Sequence, residues 1–421
     1  MNVRFSRAID RVVGTPLCWM LNVLTWSVGV LLRRPHAPPY APKRILVIKL
    51  MGVGSIVQAL PLLDGLAGRY PGAEIRMLCF PETEIFAKRL HPVASVFTID
   101  NRSLRSLART SLTALVAIIR WRADVVLDLE FHSKFSSLLT TITAAPNRGG
   151  LFDVTTAFRN RLHTHLVYAN PRQHICDLYC HLGRAFGVES FKSLADCAGC
   201  IRIQPGEEDE ASRFVATHSP HRPILLVNAN AGELCLERRW PSERFAVLAA
   251  ELVDSGTVML VGSPAERDHV EAIRQLIPDE GTRAKVLNSA GALSFGGYLA
   301  LLKRAALMVT NDSGPMHLAA VLGAPVVSLW GPGESATYEP RTPRHVAVSE
   351  HVFCSPCLYI THEPPCGGEN ICMTSMPVGR VLDAARALVP ALSIAPSPVV
   401  PLRRAAGDSL PGLVLRHGGT R

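Results

Sequence analysis

The chain has 421 residues, 48% of them hydrophobic and 19% charged, with a net charge of +9. That composition excludes a disordered segment, and the length exceeds one ordinary core; two domains of roughly 150–200 residues each would account for it. The 11 cysteines, scattered through so long a chain, argue against a small disulfide scaffold and for a reduced, cytoplasmic setting.

A basic surface favours anionic partners: nucleotide diphosphates, acidic lipid headgroups or phosphorylated glycans. Nucleic acid is disfavoured, because neither an RNA-binding aromatic signature nor a helix-turn-helix pattern is present.

Val12–Leu32 carries no charge, with Arg4, Arg7 and Arg11 before it and Arg33 and Arg34 after it. The run is long enough to cross a bilayer. Gly14, Thr15, Pro16, Asn22, Thr25, Ser27 and Gly29 interrupt it, however, and Trp19 and Trp26 suit an interface. A signal peptide, a signal anchor, a surface helix and a helix packed on the protein all meet the pattern. The basic flanks favour a cytoplasmic helix lying on an anionic membrane face. His36–Pro42 reads as a Pro-rich linker, giving a first segment over residues 1–42.

Arg44–Lys49 (RILVIK) is a short, β-branched apolar run, read as a buried strand. The glycine loop Met51–Ser55 follows, then a helical stretch over Ile56–Arg69. Further strands are expected at Glu74–Cys79, within Pro92–Asp100 and at Asp124–Leu129, with a helix over Leu104–Trp121. The rhythm restarts at Pro223, with strands at Ile224–Asn228, Val258–Gly262, Leu307–Thr310 and Pro325–Trp330. Helices are expected at Pro241–Asp254, Pro264–Ile277, Leu293–Ala305 and Gly314–Leu322. Strand, loop and helix in repetition mean parallel, doubly wound α/β sheets. The expected domains are 43–205 and 223–390, joined by a polar linker at 206–222 and followed by a flexible tail at 391–421. Ligands of such sheets bind beyond the carboxyl ends of the strands, so two of them facing each other form a cleft.

The strongest local signal is VTNDSGPMHLAAVL at Val309–Leu322. Asn311, Asp312 and Ser313 are N-cap types, Gly314 permits a close turn, and Pro315 suits the first helical turn. The free amides and dipole of such a terminus attract phosphate, and His317 lies one turn along. An ordinary capped helix with a satisfied histidine would read the same way. In NANAGELCLERRWP (Asn228–Pro241), Arg238 and Arg239 could clamp a diphosphate or form a solvated surface pair. In VGSPAE (Val261–Glu266), Glu266 could meet a ribose hydroxyl.

Together these pieces resemble glycosyltransferase family 9, the heptosyltransferases of lipopolysaccharide cores, over about Arg44 to Leu388. The resemblance rests on RILVIK, the glycine loop, ALP at Ala59–Pro61, NAGE with RRWP, GSPAE, NDSGPMHLAA, LWGP at Leu329–Pro332 and the cysteines of CSPC onward. It implies a fold of the GT-B type, two Rossmann-like domains facing a cleft, with no required metal. A nucleotide-diphospho-sugar donor, ADP-heptose in the best-known members, would sit on the second domain. A glycolipid or saccharide acceptor would sit on the first, at the inner membrane. The resemblance makes Asp312, Ser313, Gly314 and His317 donor contacts and Arg238 a phosphate contact. It places Gly52, Gly54 and Lys49 on the acceptor-side loop.

Where the family carries an aspartate read as general base, this chain has Ser55, a poor base on its own. Glu130 is the leading substitute, and Asp128 follows; both point to one face of an extended chain beyond the DVVLDL strand. His132 lies beside them. Lys49 and Lys134 could steer anionic groups. A catalytically silent saccharide-binding member is the alternative that Ser55 keeps open, and a nucleotide-sugar epimerase is a third.

Cys354, Cys357, Cys366 and Cys372 have spacing that could hold a structural zinc, or could be small buried side chains. Cys197 and Cys200 form a second pair.

Overall fold

A computed structural model describes residues 10–32, 41–219, 222–232, 235–358, 360–361 and 364–392. The arginines at 4, 7, 33 and 34, most of the 36–42 linker and the tail from 393 onward lie outside the described residues.

Two parallel sheets of six strands carry the fold. The first is built from β1 (Arg44–Ile48), β2 (Glu74–Cys79), β3 (Ser95–Thr98), β4 (Val125–Asp128), β5 (Asn147–Phe152) and β6 (His165–Tyr168), in the order β3-β2-β1-β4-β5-β6. The second is built from β7 (Ile224–Asn228), β8 (Thr257–Leu260), β9 (Val286–Asn288), β10 (Ala305–Asn311), β11 (Val326–Trp330) and β12 (His345–Ser349), in the order β12-β11-β10-β7-β8-β9. Read from the other edge, the second order repeats the first. Each half is therefore doubly wound, and each has one switch point, between β1 and β4 and between β7 and β10. The α/β, two-domain GT-B expectation holds.

The central strands are buried on both faces. Ile45, Leu46, Val47 and Ile48 are fully enclosed, as a helix-covered parallel strand requires. Leu46, Ile48 and Val126 face Ala114, Ile118 and Trp121 of the helix Leu104–Trp121 and Leu139 of the helix Lys134–Ile142. The opposite sheet face belongs to a core that crosses between domains. It joins Ile56, Leu60 and Leu63 to Met316, Leu318 and Val321.

Two expectations need correction. The stretch 206–222 is not a bare polar linker: Pro205–His218 is a helix, started by a reciprocal capping box between Gln204 and Glu207. Arg89 of the first domain grips Glu207 through two bonds of 2.8 and 2.7 Å. Glu208 meets Lys303, and Glu210 meets Ser294, both in the second domain. The polar face recognised in the sequence thus holds both halves.

The strand NRGGLF was also missed. Its paired glycines break the usual strand signal, yet packing demands them. A Cβ on Gly149 would sit 2.5 Å from the Phe186 ring, and one on Gly150 would sit 2.8 Å from Arg159 and from His163.

Gly149→Val should therefore overpack this core and lower stability by about 1–3 kcal/mol. Urea unfolding would record the loss as a lower midpoint at unchanged slope.

Candidate active site

The first switch point builds one wall. β1 ends at Ile48, and the chain turns through Gly52, whose φ of 86° suits glycine, into the helix Val53–Gln58. Glu130, just past β4, clamps this turn. Its Oε1 accepts from Lys49 Nζ at 2.9 Å, Leu50 N at 2.7 Å and Met51 N at 3.2 Å. Among the described residues its Oε2 takes no bond. Lys49 is thus paired and buried rather than free to steer anions. Lys134 packs its ammonium over the Phe158 ring at 5.1 Å. Ser55 is half-buried in the first turn after Gly52, and its hydroxyl makes no hydrogen bond among the described residues. His132 stacks on Phe131, and burial holds its pKa below the usual histidine range.

Asp128 does not reach the cleft, which removes it as a candidate base. Its carboxylate is fully enclosed, 3.2 Å from Arg159 Nη2 and 3.3 Å from His163 Nε2, and accepts from Ser136 Oγ at 2.9 Å. Burial alone would raise its pKa. The Arg159 charge and the His163 contact outweigh this and leave it lowered. Arg159 also donates to the carbonyls of Leu151 and Glu130. The buried network therefore fixes the segment that presents Glu130.

The second switch point builds the facing wall. Asn228 at the end of β7 donates to Thr310 Oγ1 at 2.9 Å and to Ser313 Oγ at 3.1 Å. Asn311 Oδ1 accepts from Trp240 N at 3.1 Å, which seats the Arg238 loop against β10. Arg238 Nη1 lies 3.5 Å from Asp312 Oδ2. Burial raises the Asp312 pKa, and the guanidinium offsets part of that. Ser313 stands at the N-cap of the helix Gly314–Val321, but its side chain does not cap it. The hydroxyl is held by Asn228 instead, so no N-cap side chain occupies the helix's first amides. Arg239 Nη2 donates to the Ala231 carbonyl.

Glu266 Oε2 accepts from Ser263 N and Oγ, both at 2.8 Å, in a capping box that closes the Gly-Ser-Pro turn.

The two walls touch. A Cβ on Gly314 would lie 3.5 Å from Val53 Cβ and 3.7 Å from Gly54 N. A Cβ on Gly54 would overlap the His317 ring. Gln58 Nε2 lies 3.2 Å from His317 Nδ1 and donates to the Tyr338 carbonyl at 2.6 Å. His317 is buried against the other domain. Burial, helped by His345, His174 and Arg238, pushes its pKa down to about 3, so the ring is neutral.

The profile of glycosyltransferase family 9 (heptosyltransferase) matches residues 112–366, more than half of the chain. The chain belongs to glycosyltransferase family 9. Among relatives, it is similar to lipooligosaccharide heptosyltransferase 2 of Haemophilus ducreyi, 25% identical over 72% of this chain and 88% of that one. It is 38% identical to the Haemophilus influenzae protein of the same name, over 33% of this chain and 41% of that relative. The Escherichia coli ADP-heptose lipopolysaccharide heptosyltransferase II structure shares the fold, with a TM-score of 0.66 and 22% identity over 83% of this chain and 99% of that one. A family 9 enzyme of Veillonella parvula has a TM-score of 0.67 and 22% identity over 85% of this chain and 100% of that one.

In this family 9 chain the late cysteines buttress the second wall. A Cβ on Gly331 would lie 2.9 Å from Cys372 Sγ, and Cys357 N donates to the Pro332 carbonyl at 3.0 Å. Burial first, and then the neighbouring thiols, raise the pKa of Cys357, and that of Cys372 to about 11. No group of three or more His, Cys, Asp or Glu side chains is arranged to hold a metal among the described residues. Cys197 and Cys200 are buried in the first-domain core.

Asp128→Asn should unpair Arg159 and cost about 3–5 kcal/mol, the scale for breaking a buried ion pair from one side. Chemical unfolding would measure it. His317 gives a pH dependence of defined sign. Below about pH 6.5 the unfolded chain takes up a proton that the folded ring refuses until about pH 3. Its contribution is therefore intact above pH 6.5 and declines as pH falls toward 3. The Tm of His317→Gln should fall less steeply across that window than that of the parent protein; parallel slopes would contradict the assignment.

Proposed function

We propose that this family 9 glycosyltransferase transfers a heptose from an ADP-heptose donor to a lipopolysaccharide-core acceptor at the inner face of the inner membrane. The donor and acceptor classes follow the names carried by its relatives. The observation that carries the reading is the meeting of the two switch points: the helix opening at Gly314 stands against the glycine loop that the Glu130 clamp holds.

In this reading the donor pyrophosphate rests on the amides at the start of the helix Gly314–Val321, with Arg238 opposite. As the sugar–phosphate bond breaks, negative charge grows on the diphosphate. The helix dipole, the amides and the guanidinium stabilise that charge. The acceptor hydroxyl oxygen bonds to the anomeric carbon, and its proton passes to Glu130 Oε2. Three donors on Oε1 fix the carboxylate's orientation and leave Oε2 as the accepting atom. Ser55 adjoins the acceptor as a hydrogen-bonding group.

No metal takes part in this scheme. Arg238 and the helix terminus supply the charge that a divalent ion would otherwise bring.

The helix Gly14–Leu32 is read here as lying on the membrane rather than crossing it. Residues Asp10–Leu31 are long and apolar enough to span. One face is nevertheless committed to the first domain. Cys18 packs against Leu138 and Leu162, and Asp10 accepts from Lys134 N and Phe135 N. Trp19, Leu24 and Leu31 stay exposed on the remaining surface.

Glu130→Gln separates a base from a clamp, because the amide oxygen still accepts from Leu50 and Met51. Transfer should fall by about 10²–10⁴-fold with ADP affinity nearly unchanged, while Tm falls because buried Lys49 loses its carboxylate partner; unaltered turnover would remove Glu130 from the mechanism. Ser55→Ala should cost far less, about tenfold or below, since a hydroxyl contributes no general base. Both are read with ADP-heptose and a heptose-deficient core acceptor.

A further inference from the structure

The helix Leu104–Trp121 carries a feature that glycosyl transfer does not use. Its inner side packs Ala114, Ile118 and Trp121 on the first sheet. Its outer side does not turn polar as a solvated helix would. Leu112 is 66% exposed, Ile119 44% and Val116 38%. At steps of three and four residues, Arg105, Arg109, Leu112, Val116, Ile119 and Arg120 fall on one helical face. No acidic residue occurs between Asn101 and Ala123, whereas Arg102 and Arg122 add two further basic groups. Arg102 pairs with Asp100. Arg105, Arg109, Arg120 and Arg122 form no ion pair among the described residues. The face is therefore apolar along its middle and positive along its rim.

Its place in the fold identifies its partner. The helices Leu104–Trp121 and Lys134–Ile142 cover the same face of the first sheet. The N-terminal helix Gly14–Leu32 lies against Lys134–Ile142 through Cys18 and Leu138. Both apolar surfaces thus belong to one side of the first domain, turned away from the core shared with the second domain. A protein partner would normally offer carboxylates to so many arginines at particular positions. A flat anionic bilayer needs no such register. It buries Leu112, Val116 and Ile119 among acyl chains while the guanidiniums reach phosphates.

We propose that Leu104–Trp121 is a second lipid-contacting helix, which seats the first domain on a bilayer containing anionic phospholipid. This rests on the reading of Gly14–Leu32 as a surface helix. Two contacts fix orientation where one would only tether. They hold the acceptor side of the cleft at the membrane, where a glycolipid acceptor resides.

The test uses the full chain and flotation with vesicles of phosphatidylcholine alone or with phosphatidylglycerol. One variant carries Arg105→Gln, Arg109→Gln and Arg120→Gln. A second carries Leu112→Ser, Val116→Ser and Ile119→Ser. A third carries Trp19→Ser, Leu24→Ser and Leu31→Ser in the N-terminal helix. All these positions are on the surface, and an unchanged Tm verifies the fold. The arginine variant should lose at least about tenfold in partitioning to anionic vesicles while keeping its weak binding to phosphatidylcholine. The apolar variant should lose binding to both. If only the third variant loses binding, the Leu104–Trp121 proposal is overturned and the N-terminal helix reading stands. If the parent chain binds neither vesicle, both fall. A stable dimer dispersed by the second variant would assign the face to another copy of the chain and overturn the proposal.

Discussion

The close approach of Gly54 to His317, across the gap between two separately wound sheets, is the constraint on which the site depends. No side chain fits there, so the loop after β1 meets the helix after β10 almost backbone to ring. That contact sets where an acceptor and a donor could meet. It also explains why His317 is neutral: a cation would be sealed between domains, where burial first and then His345, His174 and Arg238 oppose it. Gln58 reaching from the first domain to His317 and the Tyr338 carbonyl adds polar contacts to an apolar joint.

Beneath this contact each half uses buried polarity to position exposed chemistry. In the first domain, Asp128, Arg159 and His163 form an enclosed set tied to the carbonyls of Leu151 and Glu130. In the second, Asn228, Thr310, Asn311 and Ser313 bond among themselves and to Trp240. Each network sits at a switch point, where neighbouring loops diverge and leave backbone groups that need partners. The interior polar groups set the geometry, and Arg238 and Glu130 stand at its edge. The helix Pro205–His218 spans the halves through Arg89 on one side and Lys303 and Ser294 on the other, which limits how far they swing.

The departure at Ser55 acquires a physical setting from this arrangement. Ser55 lies in the first turn after Gly52, following the loop whose amides at Leu50 and Met51 bond Glu130. Position 55 brings no carboxylate to that loop, and Glu130 is the carboxylate bonded to it.

The sequence by itself determined the element types. RILVIK, DVVLDL and VTNDSGPMH announce strands and a glycine-opened helix through local steric and hydrophobic preference, and these survive in any compact fold. It also determined the family, because the order of its motifs is a property of the chain. What it left open depended on partners distant in sequence. Asp128 and Glu130 look alike on one strand end; only Arg159 and His163, some thirty residues on, decide that one is enclosed and the other presented. NRGGLF pairs as a strand between β4 and β6, and its glycines are required because Phe186, Arg159 and His163 leave no room for a Cβ at Gly149 or Gly150. Glu266 bonds its own turn and Lys49 bonds Glu130, pairings that depend on the folded positions of those groups. Tertiary structure alone decided these, since charge pairing and steric exclusion act on distance in space rather than along the chain.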